Sequence, residues 1–427
     1  MDAQKRTRRV NRDRSEPGQQ SVRGAKQMVI LMTRTQSDNM WADARPVRAY
    51  VDRILAESPE LFPDGMAKGY AWPDFDRESR KLAGVHLRQV LLNDGPAYWL
   101  RPSFVLSDMM GPVDDVESPL LLASHGVPAS LLTRGFGHRD RSWQRLIERL
   151  GRHRLVGTTV RDPQRLPEPL VADEHPVKWC GEKGFMATPA GAGCLLGVAL
   201  SQSASEAALT PADGDFVREA RDVRPDDAPP SVNTDGWGGT RHAFLAWFPN
   251  IALIRCFLHG LLKLRDRCRQ AHERHRRVWD VYRAATATEF RRLMNELQEW
   301  SEPPTWTAPV REMRGKLRNQ TDDDVVADNH PGGHRTSNLV DRLMNRLRRL
   351  MSAGRGLHGH QFHSELRLRG WSWRLNFRPF APRSGTHRQH HCPAHRLSGK
   401  HDHDHGLHNL LVSGSLLGDR QLKHGIR

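Results

Sequence analysis

The sequence predicts a mixed α/β fold, a sheet flanked by helices, set between regions of helical periodicity. Two observations predict it. Between residues 166 and 260, short apolar runs succeed one another as three strands, a helix, a strand, a helix and a strand. On either side, from 41 to 165 and from 261 to 330, apolar residues recur at helical spacing. Size is compatible: 427 residues with 37% hydrophobic content allow two or three domains with a real core in part of the chain.

Residues 1–40 are basic and polar and read as a disordered basic arm of the kind that attaches to phosphates. Residues 41–165 read as a helical DNA-binding region. Within it, "SPLLLASHGVPASLLTRGFGHRDRSWQRLIERLG" gives a helix, a break at Gly126-Val127-Pro128, a short helix and a third, amphipathic one. Helix, tight turn, helix is the outline of a helix-turn-helix, which would turn Arg134, His138, Arg139 and Arg141 toward DNA. An ordinary helical hairpin with solvated arginines fits the spacing equally well.

The pattern changes after Pro167. "EPLVADEHPVKW", "GFMATPA" and "GCLLGVALSQS" suggest a three-stranded meander. "SEAALTPADGDFVREARDV" follows as a helix with Ser205 at its N-cap. "PPSVNTDGW" is a fourth strand, "GTRHAFLAWFP" a helix and "NIALIRCFLHG" a fifth strand. This succession is that of a ribonuclease-H-like fold, of which 166–260 would be the first part. Residues 261–330 form a helical insertion. Residues 331–385 complete the core, with a helix at "SNLVDRLMNRLRRLM", and 386–427 are a tail rich in His and Arg.

Net charge is +16 with a pI near 10.3, mostly from arginine. Guanidinium groups neutralise phosphates and release counterions, so the expected partner is a polyanion, double-stranded DNA above all. The five cysteines show no C-x-x-C pairing, which suggests a reducing compartment. No apolar segment follows the basic amino terminus and no run reaches the length of a membrane span. The expected location is the cytoplasm, on the nucleoid, with no membrane partner.

The acids carry the chemistry. Asp173 falls on the first strand of the 166–260 series and Asp235 at the end of the fourth, which are neighbours in such a sheet. Two carboxylates at one sheet edge repel each other unless a divalent cation sits between them. Mg²⁺ suits such a site, as two ions, with Mn²⁺ as a substitute. A third acid is expected from a later helix: Asp341 in "SNLVDRLM", or alternatively Glu365 in "HSELRLRGW". Taken singly, each Asp fits a cap or turn as well. Asp341 opens a helix whose following turns carry Arg342, Arg346, Arg348 and Arg349, placed to follow a DNA backbone.

Taken together, "VADEH…GEK", "VNTDGW", "CFLH" and "HRTSNLVDRLM" resemble the insertion-sequence transposases of the Mutator-like DDE/D group, from about residue 100 to the end. In that group a Cys- or Asp-x-x-His pair follows the second acid, matching Cys256 and His259. A helical insertion precedes the last acid, and that acid follows an Asn by three residues, matching Asn338 and Asp341. Many relatives carry Glu at that place. The resemblance implies a prokaryotic DNA transposase that hydrolyses phosphodiester bonds with Mg²⁺ and transfers strands at the ends of a mobile element. Asp173, Asp235 and Asp341 would then hold the metal, with His259 beside the scissile phosphate and Cys256 packed behind it. It further implies binding to terminal repeats and target DNA as a homo-oligomer. The alternative is a non-catalytic DNA-binding protein derived from a decayed transposase.

Overall fold

The structure is a computed structural model. It describes residues 26–57, 59, 62–72, 76–78, 84–93, 95–105, 112–256, 259, 272–284, 286–300, 326, 329–330, 332–353, 356–388, 390–398 and 409–410. Among these residues no helix is long and apolar enough to cross a membrane.

The amino-terminal region is built on a sheet. Strand β1 (Lys26–Ile30) runs parallel to β5 (Ala97–Pro102) with Lys26 opposite Tyr98. β4 (His86–Leu92) joins β5 antiparallel, and β2 (Tyr70–Ala71) and β3 (Asp76–Glu78) both pair with β4. Helices α1 (Arg34–Met40) and α2 (Ala44–Glu57) cover it. Val47, Val51 and Ile54 of α2 share a core with Ile30, Val90 and Leu100 of the strands. This corrects two expectations. The basic arm cannot extend to residue 40, because 26–40 form a strand and a helix; residues 1–25 lie outside the described residues. Nor is 41–165 all helical. The strands escaped notice because most are short or interrupted by Arg, His and Asp, and because β1 is held by pairing with a strand about seventy positions away.

The helices expected after residue 112 are present: α3 (Val113–Ser124), α4 (Ala129–Phe136) and α5 (Asp140–Leu150), followed by the short α6 (Leu155–Thr159). Proline precedes the first helical residue in both α3 and α4, and Gly137 ends α4 at φ +74°.

The second sheet follows the expected succession. β6 (Pro169–Trp179) and β7 (Glu182–Gly191) form a hairpin, and the third strand is split into β8 (Cys194–Leu195) and β9 (Ala199–Ser201), both paired with β7. Then come α7 (Glu206–Val223), β10 (Ser231–Thr234), α8 (Gly238–Trp247) and β11 (Ala252–Arg255). The order across the sheet is β11-β10-β6-β7-β8, with β10 parallel to both β6 and β11. Alternation along β6 fills both faces. Leu170 and Ala172 meet Phe216 of α7 and Phe244 of α8, whereas Val171 and Val177 meet the opposite layer.

That opposite layer contains α3, α4, α5, α11 (Asn338–Ala353) and α12 (Gln361–Phe377), through Trp143, Leu146, Leu343, Leu347 and Trp373. Two further helices, α9 (His272–Tyr282) and α10 (Ala287–Trp300), occupy the predicted insertion. The tail is no appendage where it is described. Cys392 and Leu410 join the core of α12, and Leu397, in α13 (His395–Ser398), joins that of α7.

α12 is buried nearly all round, polar residues included. Asn376 binds both the N–H and the C=O of Leu195, at 2.9 and 2.8 Å, and so ties α12 to β8. α5 crosses α12 at backbone contact: a Cβ on Gly370 would lie 2.1 Å from the Ile147 carbonyl oxygen, and one on Gly151 1.8 Å from that of Leu366. Gly370→Ala is therefore expected to cost about 1–3 kcal/mol by overpacking. The measurement is a lower urea midpoint at unchanged m value; an unaltered midpoint would show that the crossing relaxes freely.

Candidate metal centre

β10 ends at Thr234, and its register with β6 stops at Asn233 opposite Val171. Two positions further along, Asp235 and Asp173 face each other past the end of the ladder. The chain turns sharply there. Gly236 sits at φ +94°, a conformation that L side chains rarely adopt, and a Cβ on it would lie 2.8 Å from Arg255 Nε. Asp235 Oδ1 accepts from the N–H of Trp237 at 2.7 Å, which fixes the carboxylate at the mouth of α8.

The sheet thus opens beside the second half of β6, and one acid more than expected reaches the gap. Asp173, Glu174 and Asp235 each place a carboxylate oxygen within 4.8 Å of the others, and all three are half-buried. Glu174 is held by a hydrogen bond from the Thr240 hydroxyl of α8. Strand alternation predicts that residues 173 and 174 point to opposite faces. With no partner strand on that side, the longer Glu174 side chain reaches the same opening. The run of two acids in "VADEH" was the available signal.

Electrostatics match the geometry. Burial, then the charges of Asp235 and Asp341, push the Asp173 carboxyl up to about 7. Glu174 is raised to about 7, mainly by burial, with Asp235 and Asp173 adding to the rise and the Thr240 bond opposing it. Behind it Asp213 of α7 is 3% exposed and raised to about 8 by burial and by Glu174. Such a cluster stays partly protonated near neutrality unless a cation compensates it. Its donors are all carboxylate oxygens, which suit a hard cation such as Mg²⁺, Mn²⁺ or Ca²⁺ and do not suit a thiophilic one. The residues present fit a divalent cation.

Asp341 lies in the first turn of α11, outside the group of three, whereas Glu174, which the sequence reading did not single out, lies within it. Asp341 is near enough to raise both Asp173 and His259. Glu365, the alternative, sits on α12, where its Oε1 accepts from the Leu200 N–H at 3.1 Å and from Gln361 at 3.0 Å. Its carboxylate serves the β9 backbone and takes no part in the acidic group.

Cys256 follows β11 directly, its N–H bonded to Thr234 O at 2.7 Å. Cys256 is buried, and its Sγ lies 3.2 Å from both the N–H and the hydroxyl of Ser337. The hydrogen bond to Cys256 leads the causes that raise His259 to about 9, with Asp341 and Asp235 adding to the rise. His259 is therefore cationic at neutral pH and lies toward the acids. Burial pushes the Cys256 thiol up, but its bonds with His259 and Ser337 outweigh this and leave it below its ordinary value.

The arginines divide. Arg134, at the end of α4, and Arg139 and Arg141, at the start of α5, are exposed, while the other face of α5 buries Trp143, Leu146 and Ile147. Arg342 is exposed and donates to Asn338 O at 3.2 Å. Arg346 is half-buried, and burial together with Arg342 and Arg349 lowers its pKa. Arg348 approaches His175 on β6, whose pKa falls through burial and then through that charge. The basic face of α11 therefore borders the strand that carries Asp173.

No protein-family model matches the chain. No curated protein matches it. Fold and site together define a mixed α/β protein with a half-buried carboxylate cluster where the parallel ladder of β10 and β6 ends.

Proposed function

We propose that this chain is a DNA transposase with a ribonuclease-H-like catalytic domain, of the Mutator-like DDE/D kind, acting on the ends of a mobile element. One observation carries the reading: Asp173 on β6 and Asp235, directly after the parallel strand β10 and 62 residues away (235 minus 173), meet within a group of three carboxylates. The strand order β11-β10-β6-β7-β8, with β7 alone running against the others, supports the fold assignment. The net charge of +16 supports a nucleic-acid partner.

Asp173, Asp235 and Glu174 would hold Mg²⁺, and Asp341, outside that group on α11, would support a second ion beside Asp173. A metal held by these carboxylates would supply activation of the attacking oxygen and stabilisation of the leaving one in phosphodiester cleavage. Cationic His259 offsets the charge of a phosphate brought beside Asp235 and Asp341. The arginines of α11 hold the strand that enters the site. Arg134, Arg139 and Arg141 hold duplex DNA further out, and paired ends call for a dimer or larger assembly.

The test uses a duplex carrying the sequence that flanks the reading frame, with the full chain, in Mg²⁺ and in EDTA. Mg²⁺-dependent nicking followed by joining to a target duplex is the expected result. DNA binding without nicking would favour a non-catalytic DNA-binding protein derived from a decayed transposase, and absence of binding would overturn both readings. Affinity is expected to fall log-linearly with salt, with a slope of about 0.9 for each phosphate neutralised. Residues 1–25 hold seven Lys or Arg against three Asp or Glu. Their removal should flatten that slope without loss of preference for the element end; an unchanged slope would show that the arm makes no phosphate contacts.

A further inference from the structure

Ser337 stands immediately before α11 and is 1% exposed. A serine at that place ordinarily turns its hydroxyl to the first backbone N–H groups of the helix. Here the hydroxyl is engaged with side chains from three places in the chain. Ser337 Oγ lies 3.2 Å from Cys256 Sγ, 3.2 Å from His259 Nδ1 and 3.0 Å from Asp341 Oδ2. The Ser337 N–H also points at Cys256 Sγ, at 3.2 Å.

One hydroxyl hydrogen serves one acceptor at a time. A carboxylate is the strongest acceptor of the three groups, because a bond to an ionised oxygen is about twice as strong as a neutral one. The Ser337 hydroxyl therefore donates to Asp341, and the backbone N–H of Ser337 supplies the sulfur. His259 Nδ1–H then donates to a lone pair on Ser337 Oγ. The chain of bonds then runs from His259 through Ser337 to Asp341, and the Ser337 N–H is left to Cys256 Sγ. The bond from Ser337 is the side-chain hydrogen bond that Asp341 makes among the described residues, and the Asp341 N–H closes a backbone bond to Ser337 O at 3.0 Å. A carboxylate tied through Oδ2 at a helix start loses its rotational freedom and keeps Oδ1 for another ligand.

We propose that Ser337 is the positioning residue of Asp341: oriented by the Cys256–His259 pair, its hydroxyl holds Asp341 Oδ2 so that Oδ1 is offered to a second cation beside Asp173. This rests on the metal-site reading above. It also gives the pair at the end of β11 a task in shaping the site, through the residue that starts α11.

The test is Mn²⁺ binding to the full chain, followed by the electron paramagnetic resonance of free Mn²⁺, with nicking measured in parallel. Ser337→Ala is expected to weaken Mn²⁺ binding about tenfold, as loss of a residue that orients a ligand does. Ser337→Thr should restore most of the affinity. In an Asp341→Asn background Ser337→Ala should add nothing, since both changes remove one interaction. Should the alanine variant fail to fold, the isosteric pair Ser337→Thr and Ser337→Val gives the same comparison. Unchanged Mn²⁺ affinity in Ser337→Ala, or an equal loss in the Asp341→Asn background, overturns the proposal. A wild-type chain that binds Mn²⁺ with this pattern but nicks no DNA upholds it and overturns the transposase reading. A wild-type chain that binds no Mn²⁺ overturns both.

Discussion

Asp173→Asn is expected to lower Mg²⁺-dependent nicking by about 10³-fold or more, equivalent to about 4 kcal/mol of transition-state stabilisation. In the metal-free chain the same substitution is expected to raise stability. The two effects have one cause. The fold holds the Asp173 carboxyl at about 7 against an ordinary value of 3.8, because it is buried beside Asp235 and Asp341. A carboxyl raised in this way favours the folded chain fully below the unfolded pKa, and that contribution disappears as pH rises through the folded one. Metal-free protein should therefore lose stability between about pH 4 and pH 7, on the order of 2–4 kcal/mol from this group. Glu174, raised to about 7, and Asp213, raised to about 8, shift in the same direction and extend the loss upward. Asn at 173 removes one charge from the cluster and flattens the curve. Mg²⁺ should flatten it in the wild type, because a cation among the carboxylates favours their ionised forms. Thermal unfolding from pH 4 to 8, with Mg²⁺ and with EDTA, measures this. A metal-free melting temperature that does not fall over that range would remove the electrostatic basis of the site.

Arg369→Met is expected to destabilise the chain by about 3–5 kcal/mol, the largest loss of folding stability foreseen for a single side chain. Arg369, on α12, is 3% exposed and forms an ion pair with Glu219 of α7, which is 5% exposed. Its guanidinium also donates to Gly151 O at 3.3 Å and His153 O at 3.2 Å, while Glu219 Oε2 accepts from the Val156 N–H at 2.8 Å. This one network joins α12, α7 and the start of α6. Removing Arg369 strands a buried carboxylate. Removing both partners, as Arg369→Met with Glu219→Leu, should cost clearly less than the sum of the single changes. Additive losses in urea unfolding would show that the two groups do not act as a pair.

The succession of elements from 166 to 260 was legible in the sequence because it depends on local signals. Apolar runs bounded by Gly and Pro mark β6, β7 and β10, and helical spacing marks α7 and α8. Once that order is known, β6 and β10 become neighbours and Asp173 and Asp235 meet, so two of the three clustered carboxylates were in hand. α11 was read the same way, from a strongly amphipathic "SNLVDRLMNRLRRLM". α12 gave no comparable stripe, since a helix buried all round has no polar face to mark it, and its Arg369, Arg374 and Asn376 disguise it as a surface segment.

Strand identity is local, but strand register and the absence of a neighbour are not. Glu174 enters the acidic group because the β10 ladder stops at Asn233 and leaves the flank of β6 open, a fact that no window around residue 174 contains. Asp341 stands outside that group, and Glu365 turns to the Leu200 backbone, because each helix is placed by what it buries. The amino-terminal sheet obeys the same rule: β1 is defined by its pairing with β5, across seventy residues of intervening chain. Local chemistry set which segments become strands and helices and where two acids fall on them. Long-range packing, acting through burial and through the hydrogen bonds available at each sheet edge, selected which acids share a site.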